Sequence, residues 1–174
     1  MSERSIEDLI GRARAGEAQA QLALAFAYVK GDLVPRDYGQ AALWYARAAE
    51  GGSLVAQHNL ASMYLNGEGV ERNGEKALAL FEQAAEQGDV DSQFNLALIY
   101  ERGEIVEQSD EQSARWFLLA AQNGSARAQY EVGCLYLSGK GLEKNSSLAR
   151  RFFQLAANQG VTRAKVQLAL LDLG

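Results

Sequence analysis

The sequence predicts an all-α fold, a right-handed solenoid of antiparallel helix pairs with a 36-residue period, forming one domain over residues 1–174. Three observations predict it. Tyr28, Tyr64, Tyr100 and Tyr136 stand 36 residues apart, as do Gly31, Gly67, Gly103 and Gly139, and Gly52, Gly88, Gly124 and Gly160. Alanine pairs recur in the same register at Ala48-Ala49, Ala84-Ala85, Ala120-Ala121 and Ala156-Ala157. Apolar residues within each unit follow three- and four-residue spacing, and no segment shows strand-like alternation beside turn chemistry. Four periods pass without an insertion, which chance similarity does not produce.

The elements follow in order. Residues 5–15, with Ile6, Leu9, Ile10 and Ala13 before Gly16, read as a second-type helix without its partner, a cap on the array. Four repeats follow over 18–52, 53–88, 89–124 and 125–160, the first three and last opened by Ala20-Gln21, Ala56-Gln57, Ser92-Gln93 and Ala128-Gln129. The first helix of each unit buries one face, as with Leu60, Ala61 and Tyr64, and stops at a glycine suited to a left-handed C-cap. A seven-residue link carries Val34, Val70, Val106 or Leu142 at its fourth position and closes with Asp37, Asn73, Ser109 or Asn145. These four are strong N-caps, and Ser109 with Gln112 fits a capping box. The second helix carries a bulky pair (Trp44-Tyr45, Leu80-Phe81, Trp116-Phe117, Phe152-Phe153) four residues before its alanine pair. Small alanines permit close helix approach while the large side chains fill the wider part of each layer. Residues 161–174 form the C-terminal cap, with a first-type helix over 163–173. Asp172 takes the tyrosine position there, a carboxylate suited to solvent. Ten helices are expected.

Composition and charge narrow the function classes. The chain has 174 residues with 48% hydrophobic and 22% charged, a balance that excludes a disordered chain. One cysteine excludes an internally disulfide-stapled fold. No apolar run approaches the roughly 18 to 20 residues of a membrane span. The first residues lead into no apolar signal stretch, and the expected compartment is cytoplasmic. The net charge of −5 argues against binding to a phosphate backbone, so no nucleic-acid partner is expected. Charge is unevenly spread. Residues 1–126 hold 10 Lys+Arg and 19 Asp+Glu, a balance of −9, and residues 127–174 hold 7 and 3, a balance of +4.

The unit Ala56-Gln57, Asn59-Leu60-Ala61, Met63-Tyr64, Gly67-Glu68-Gly69-Val70, Asn73, Lys76-Ala77, Phe81, Ala84-Ala85-Glu86-Gln87-Gly88 resembles the Sel-1-like repeat, a tetratricopeptide-like solenoid family. The resemblance runs from about Ala18 to the end. It implies a scaffold for protein–protein interaction, since family members assemble complexes in signalling, secretion, envelope biogenesis and protein quality control. Two departures stand out. A cysteine-rich branch linked to β-lactam-type compounds carries a cysteine pair per unit, whereas Cys134 stands alone here. In units one and three the second loop glycine is replaced by Leu33 and Ile105, so those two loops are expected to differ in shape from the loops at Gly69 and Gly141.

By similarity to tetratricopeptide solenoids, the first helices line a concave groove. In register the groove positions are Leu22, Phe26 and Lys30; His58, Ser62 and Asn66; Asp91, Phe94, Leu98 and Arg102; Arg127, Tyr130, Cys134 and Ser138; and Arg163 and Val166. Aromatic anchors among arginine and asparagine suit a peptide groove, and the same spacing also suits rings that pad the inner curve. Asn59 and Asn95, one position off that line, fit either a peptide clamp or a structural hydrogen bond between repeats.

Catalytic chemistry finds no support. His58 is the one histidine, so clustered histidine metal sites are excluded, and a Cys134–His58 dyad would join residues two repeats apart. The acidic stretch Glu101, Glu104, Glu107, Asp110 and Glu111 lacks the alternating oxygen ligands of a calcium loop and reads as a solvated loop. Gly67, Gly69 and Gly74 follow no strand and precede no Lys-Ser/Thr, so a nucleotide loop is excluded. The leading reading is a non-catalytic adaptor without cofactor or metal that binds a partner protein's peptide or helix in the groove. The alternatives are a small-ligand-binding or hydrolytic protein like the cysteine-rich branch, acting on a β-lactam or cell-wall fragment, and a self-assembling module. Self-assembly would run through the uncovered final helix with Leu168 and Leu171, as a homo-oligomer.

Overall fold

The computed structural model describes residues 3–173; Met1, Ser2 and Gly174, part of the span 1–174, lie outside the described residues. Ten α-helices and no strand are found among the described residues: α1 Glu3–Arg14, α2 Ala18–Lys30, α3 Tyr38–Glu50, α4 Leu54–Asn66, α5 Gly74–Glu86, α6 Val90–Arg102, α7 Asp110–Gln122, α8 Ala126–Ser138, α9 Ser146–Asn158 and α10 Thr162–Asp172. The fold is all-α, with helix starts repeating every 36 residues. The helices form two compact units, Met1–Asp89 and Val90–Gly174. In unit one α1 to α5 pack each on the next, and in unit two α6 to α10 do the same.

Each pair of helices is closed by its link. Gly31, Gly67 and Gly139 end the first-type helices in the left-handed region, each donating its N–H to a carbonyl four residues back. The side chains of Asp37, Asn73, Ser109 and Asn145 then accept from the backbone N–H three residues on, at 2.9 to 3.2 Å. The backbone N–H of each of these caps donates to the carbonyl of the recurring tyrosine, as with Asn73 to Tyr64 at 2.8 Å and Ser109 to Tyr100 at 3.0 Å. This explains why the expected capping box at Ser109 and Gln112 is only half made. The Ser109 N–H that the Gln112 side chain would satisfy is already taken by Tyr100.

The second-type helices end in a Schellman arrangement. Ser53 N–H donates to Ala48 O and Gly52 N–H to Ala49 O, and the same pair of bonds recurs at Ala84-Ala85, Ala120-Ala121 and Ala156-Ala157. The glutamine that opens each of the four repeats is buried: Gln21 8%, Gln57 2%, Gln93 1% and Gln129 5% exposed. Gln21 Nε2 donates to Ala13 O and Gln129 Nε2 to Ala121 O, both at 3.2 Å, so the amide covers the last turn of the preceding helix. In unit two a second amide completes the network, Asn123 donating to Gln93 Oε1 at 3.0 Å and Gln159 to Gln129 Oε1 at 2.9 Å. At the corresponding position of unit one Gln87 turns back to Gln83 O, and Gln57 Oε1 is buried without a hydrogen-bond partner.

Tyr45, Phe81, Phe117 and Phe153 are at most 1% exposed and form the centre of each layer, with the alanine pairs around them. Burial pushes the Tyr45 phenol up to about 12.

The two loop types differ as expected from Leu33 and Ile105. Gly69 has φ +71°, and a Cβ there would lie 2.2 Å from the carbonyl carbon of Tyr38; Gly141 has φ +69°, and its Cβ would lie 2.0 Å from the carbonyl oxygen of Asp110. These loops press backbone to backbone on the first turn of the preceding second-type helix. No non-glycine residue among those described has positive φ, so the loops with Leu33 and Ile105 take another path. Gly52, at φ +84°, has open space where a Cβ would go. Gly52→Ala should therefore cost only the left-handed backbone term, about 1 to 2 kcal/mol. Gly69→Ala should cost at least about 1 kcal/mol more, because backbone must move as well. Urea unfolding of the two variants checks this, and equal midpoints would remove the close-approach argument.

Candidate functional site

The side chains marked by the repeat register fall on the first-type helices, and their surroundings differ from position to position. In unit one Phe26 sets its ring edge-on against Tyr45, centroids 5.6 Å apart at 89°, and His58 does the same to Phe81 at 5.6 Å and 66°. Leu22, Phe26, His58 and Ser62 are half-buried, while Lys30 and Asn66 are exposed. His58 Nδ1 lies 3.5 Å from Asp89 Oδ2, and Ser62 Oγ donates to His58 O at 3.1 Å.

In unit two, taken by itself, Phe94 meets Phe117 (5.3 Å, 69°) and Tyr130 meets Phe153 (5.7 Å, 51°). Phe94 is only 6% exposed. The Arg127 guanidinium lies above it, Cζ 4.3 Å from the ring centroid, itself exposed to solvent. The ring thus belongs to the core and the cation to the surface, a distinction that helical spacing cannot make. Leu98, Tyr130 and Cys134 are half-buried, and Arg102 and Arg163 are exposed. Ser138 Oγ donates to Cys134 O at 3.0 Å.

Glu131 is a residue that the groove register passed over. It occupies the position of Asn59 and Asn95 and is half-buried. Burial and then Glu101 raise its carboxyl, while Arg127 and Arg163 pull it down, so all four charges share one environment. The one available signal was the replacement of a recurring asparagine by an acid. Asn59 itself donates to Val55 O at 2.6 Å within its own helix. In the acidic stretch, Lys140 Nζ lies 3.5 Å from Glu101 and 3.4 Å from Asp110, fastening the Gly141 loop to two of those carboxylates.

Arginine forks stand beside partly exposed apolar surface, a combination that binds polypeptide. Burial pushes the Cys134 thiol up, and Tyr130 is likewise raised, first by burial and then by Cys134. A nucleophilic cysteine needs the opposite shift. Among the described residues no group of three or more His, Cys, Asp and Glu side chains could hold a metal, and no helix is long and apolar enough to cross a membrane.

The Sel1 repeat profile matches residues 17–53, 54–89, 90–125 and 126–161. The chain belongs to the Sel1 repeat family. Sel1 repeats are in general protein-interaction modules, and the proteins built from them are generally non-catalytic scaffolds. A protective antigen of uropathogenic Escherichia coli displaying an SLR fold is 36% identical, with a TM-score of 0.91 over 95% of this chain and 35% of that one. A Sel1 repeat protein from Oxalobacter formigenes is 27% identical, with a TM-score of 0.81 over 94% of this chain and 73% of that one. The chain thus spans about a third of the length of the E. coli antigen. Helicobacter pylori cysteine rich protein B, 23% identical with a TM-score of 0.62 over 79% of this chain and 99% of that one, shares the fold. No curated protein matches the chain.

The state of Cys134 is open to a direct check. A thiol raised by burial holds less thiolate at pH 8 than a free one, so iodoacetamide should alkylate it at least about fivefold more slowly in the folded protein than in urea. The folded rate should also reach its plateau at a higher pH than the unfolded rate. Equal rates with and without urea would show an accessible, unshifted thiol.

Proposed function

We propose that this Sel1 repeat chain is a non-catalytic scaffold that binds an extended peptide or a helix of a partner protein along its first-type helices. The observation that carries the reading is Arg127. Its guanidinium stands over the buried Phe94 ring, Cζ 4.3 Å from the centroid, on a side chain that stays exposed, so a partner would meet a cation already placed by that contact. Arg163 stands one period further at the same register position, and Tyr130 and Cys134 supply apolar contact between them. In unit one Leu22, Phe26 and His58 offer half-buried apolar surface beside Lys30, Ser62 and Asn66. Phe94 supports the site from below. The raised Cys134 thiol supports the non-catalytic reading over a hydrolytic one.

Peptides selected from a displayed random library against the intact chain test this. Arg127→Ala and Tyr130→Ser should each weaken the selected peptides about tenfold or more while circular dichroism stays unchanged. Phe94→Ser is a poor probe of the surface, because emptying that core position costs about 3 to 5 kcal/mol. Unchanged affinity in both variants would move the site off the first-type helices.

A second reading rests on α10 and its C-cap, where Val166, Leu170 and the cap residue Leu173 are 55%, 57% and 85% exposed. Val166 and Leu170 hold the register positions at which Tyr130 and Cys134 of α8 pack with Phe153. Self-association through this strip would make sedimentation concentration-dependent, and Val166→Ser with Leu170→Ser would abolish it. A single species at all concentrations excludes this route.

A further inference from the structure

On the second-helix side of unit one, a cleft of about 480 Å³ lies between α3 and α5 over α4. Ala46, Leu60, Tyr64, Ala79 and Leu80 line it, and the charged side chains of Glu50 and Lys76 stand on opposite walls. The repeat supplies its own comparison. Two periods on, the same positions hold Leu118, Val132, Tyr136, Arg151 and Phe152. There Phe152 stacks on Tyr136, centroids 5.8 Å apart and planes at 21°. The position of Leu80 is Trp44, Trp116 and Phe152 in the other repeats, and Trp44 is buried in one cluster with Tyr28, the first of the recurring tyrosines. Leu80 is the aliphatic exception, and the small Ala46 and Ala79 widen the gap beside it. In place of a neighbouring ring Tyr64 has the Lys76 ammonium, 5.2 Å from its centroid.

We propose that this cleft receives an aromatic side chain of a partner polypeptide, with an acidic group beside that ring held by Lys76. The ring supplies what Phe152 supplies in the fourth repeat, a flat apolar face stacked on the tyrosine and filling the space between second-type helices. Charge complementarity sets the direction, because a carboxylate next to the ring is drawn to Lys76 on α5 and repelled by Glu50 on α3. The site is independent of the first-helix face and stands or falls separately from it.

The test is a chemical-shift titration of the intact, ¹⁵N-labelled chain with N-acetyltryptophan, N-acetyltryptophanamide and N-acetylleucine. The tryptophan probes should shift amides in 46–50, 60–64 and 76–83 and bind about two- to tenfold more tightly than the leucine probe. The free carboxylate should add about two- to fivefold over the amide, and Lys76→Ala should erase that difference. Leu80→Phe with Ala46→Leu imports the residues of unit two, so tryptophan binding should vanish; Ala79→Arg alone serves the same purpose if the double variant does not fold. Equal binding of the leucine probe, shifts confined to other residues, or binding retained in the filled variant would overturn the proposal. So would concentration-dependent shifts of these amides without any probe, which would make a second copy the occupant.

Discussion

The carbonyl groups at the end of each second-type helix are the constraint on which the repeat depends. A helix leaves its last carbonyls without intrahelical partners, and within each unit those ends lie against the next first-type helix. Two devices satisfy them. The Schellman turn takes the carbonyls of the alanine pair, and the buried glutamine one turn into the next helix adds a donor to the second alanine, as with Gln21 on Ala13 and Gln129 on Ala121. Larger side chains at the alanines would hold that glutamine away. The pairing therefore ties the residue types together: glycine to turn, alanine to permit approach, glutamine to reach across. Where the second amide is diverted, as at Gln87, the network loses a partner at Gln57.

Much of this frame was legible in the sequence, for a physical reason. Tyrosine, glycine and alanine recur because each fills a backbone or packing role that tolerates few substitutes, so the 36-residue spacing carries over into the helix starts without drift. The N-caps were legible too, since Asp37, Asn73, Ser109 and Asn145 act through their own local backbone. What the sequence left open is partnership. The register placed Gln129 at the head of a helix without indicating that its amide reaches Ala121. It left Phe94 open between a groove anchor and a ring padding the inner curve, and the ring faces Phe117 and is roofed by Arg127. A 3.6-residue pattern gives the angular position of a side chain on its helix, and it says nothing of what a neighbour lays over it.

That distinction organises the candidate site. Rings at the recurring first-helix positions meet the buried ring of the second helix in each layer, and only their remaining surface faces solvent. Residues outside the pattern supply the chemistry: Arg127, Glu131 and Arg163 in unit two, Lys30 and Asn66 in unit one. Glu131 shows the coupling, since its carboxyl is raised by burial and by Glu101 while two arginines oppose both. A surface made this way can change its charges without disturbing the frame beneath.

Departures from the repeat carry different weight according to whether the chain answers them. Gly133 replaces the alanine found at 25, 61 and 97, and the Phe153 ring has moved into the space, so that an added Cβ would lie 2.6 Å from its Cε1. That departure is closed inside the unit and amounts to a local repacking. Leu80 departs in the other sense, and nothing in its unit fills the volume, because Ala46 and Ala79 beside it are small as well. Three undersized residues around one tyrosine leave apolar surface in water, a cost of roughly 25 cal/mol for each square ångström that a filled layer would have buried. Unanswered departures of that kind, concentrated at one point of an otherwise regular array, distinguish this chain from its own repeat.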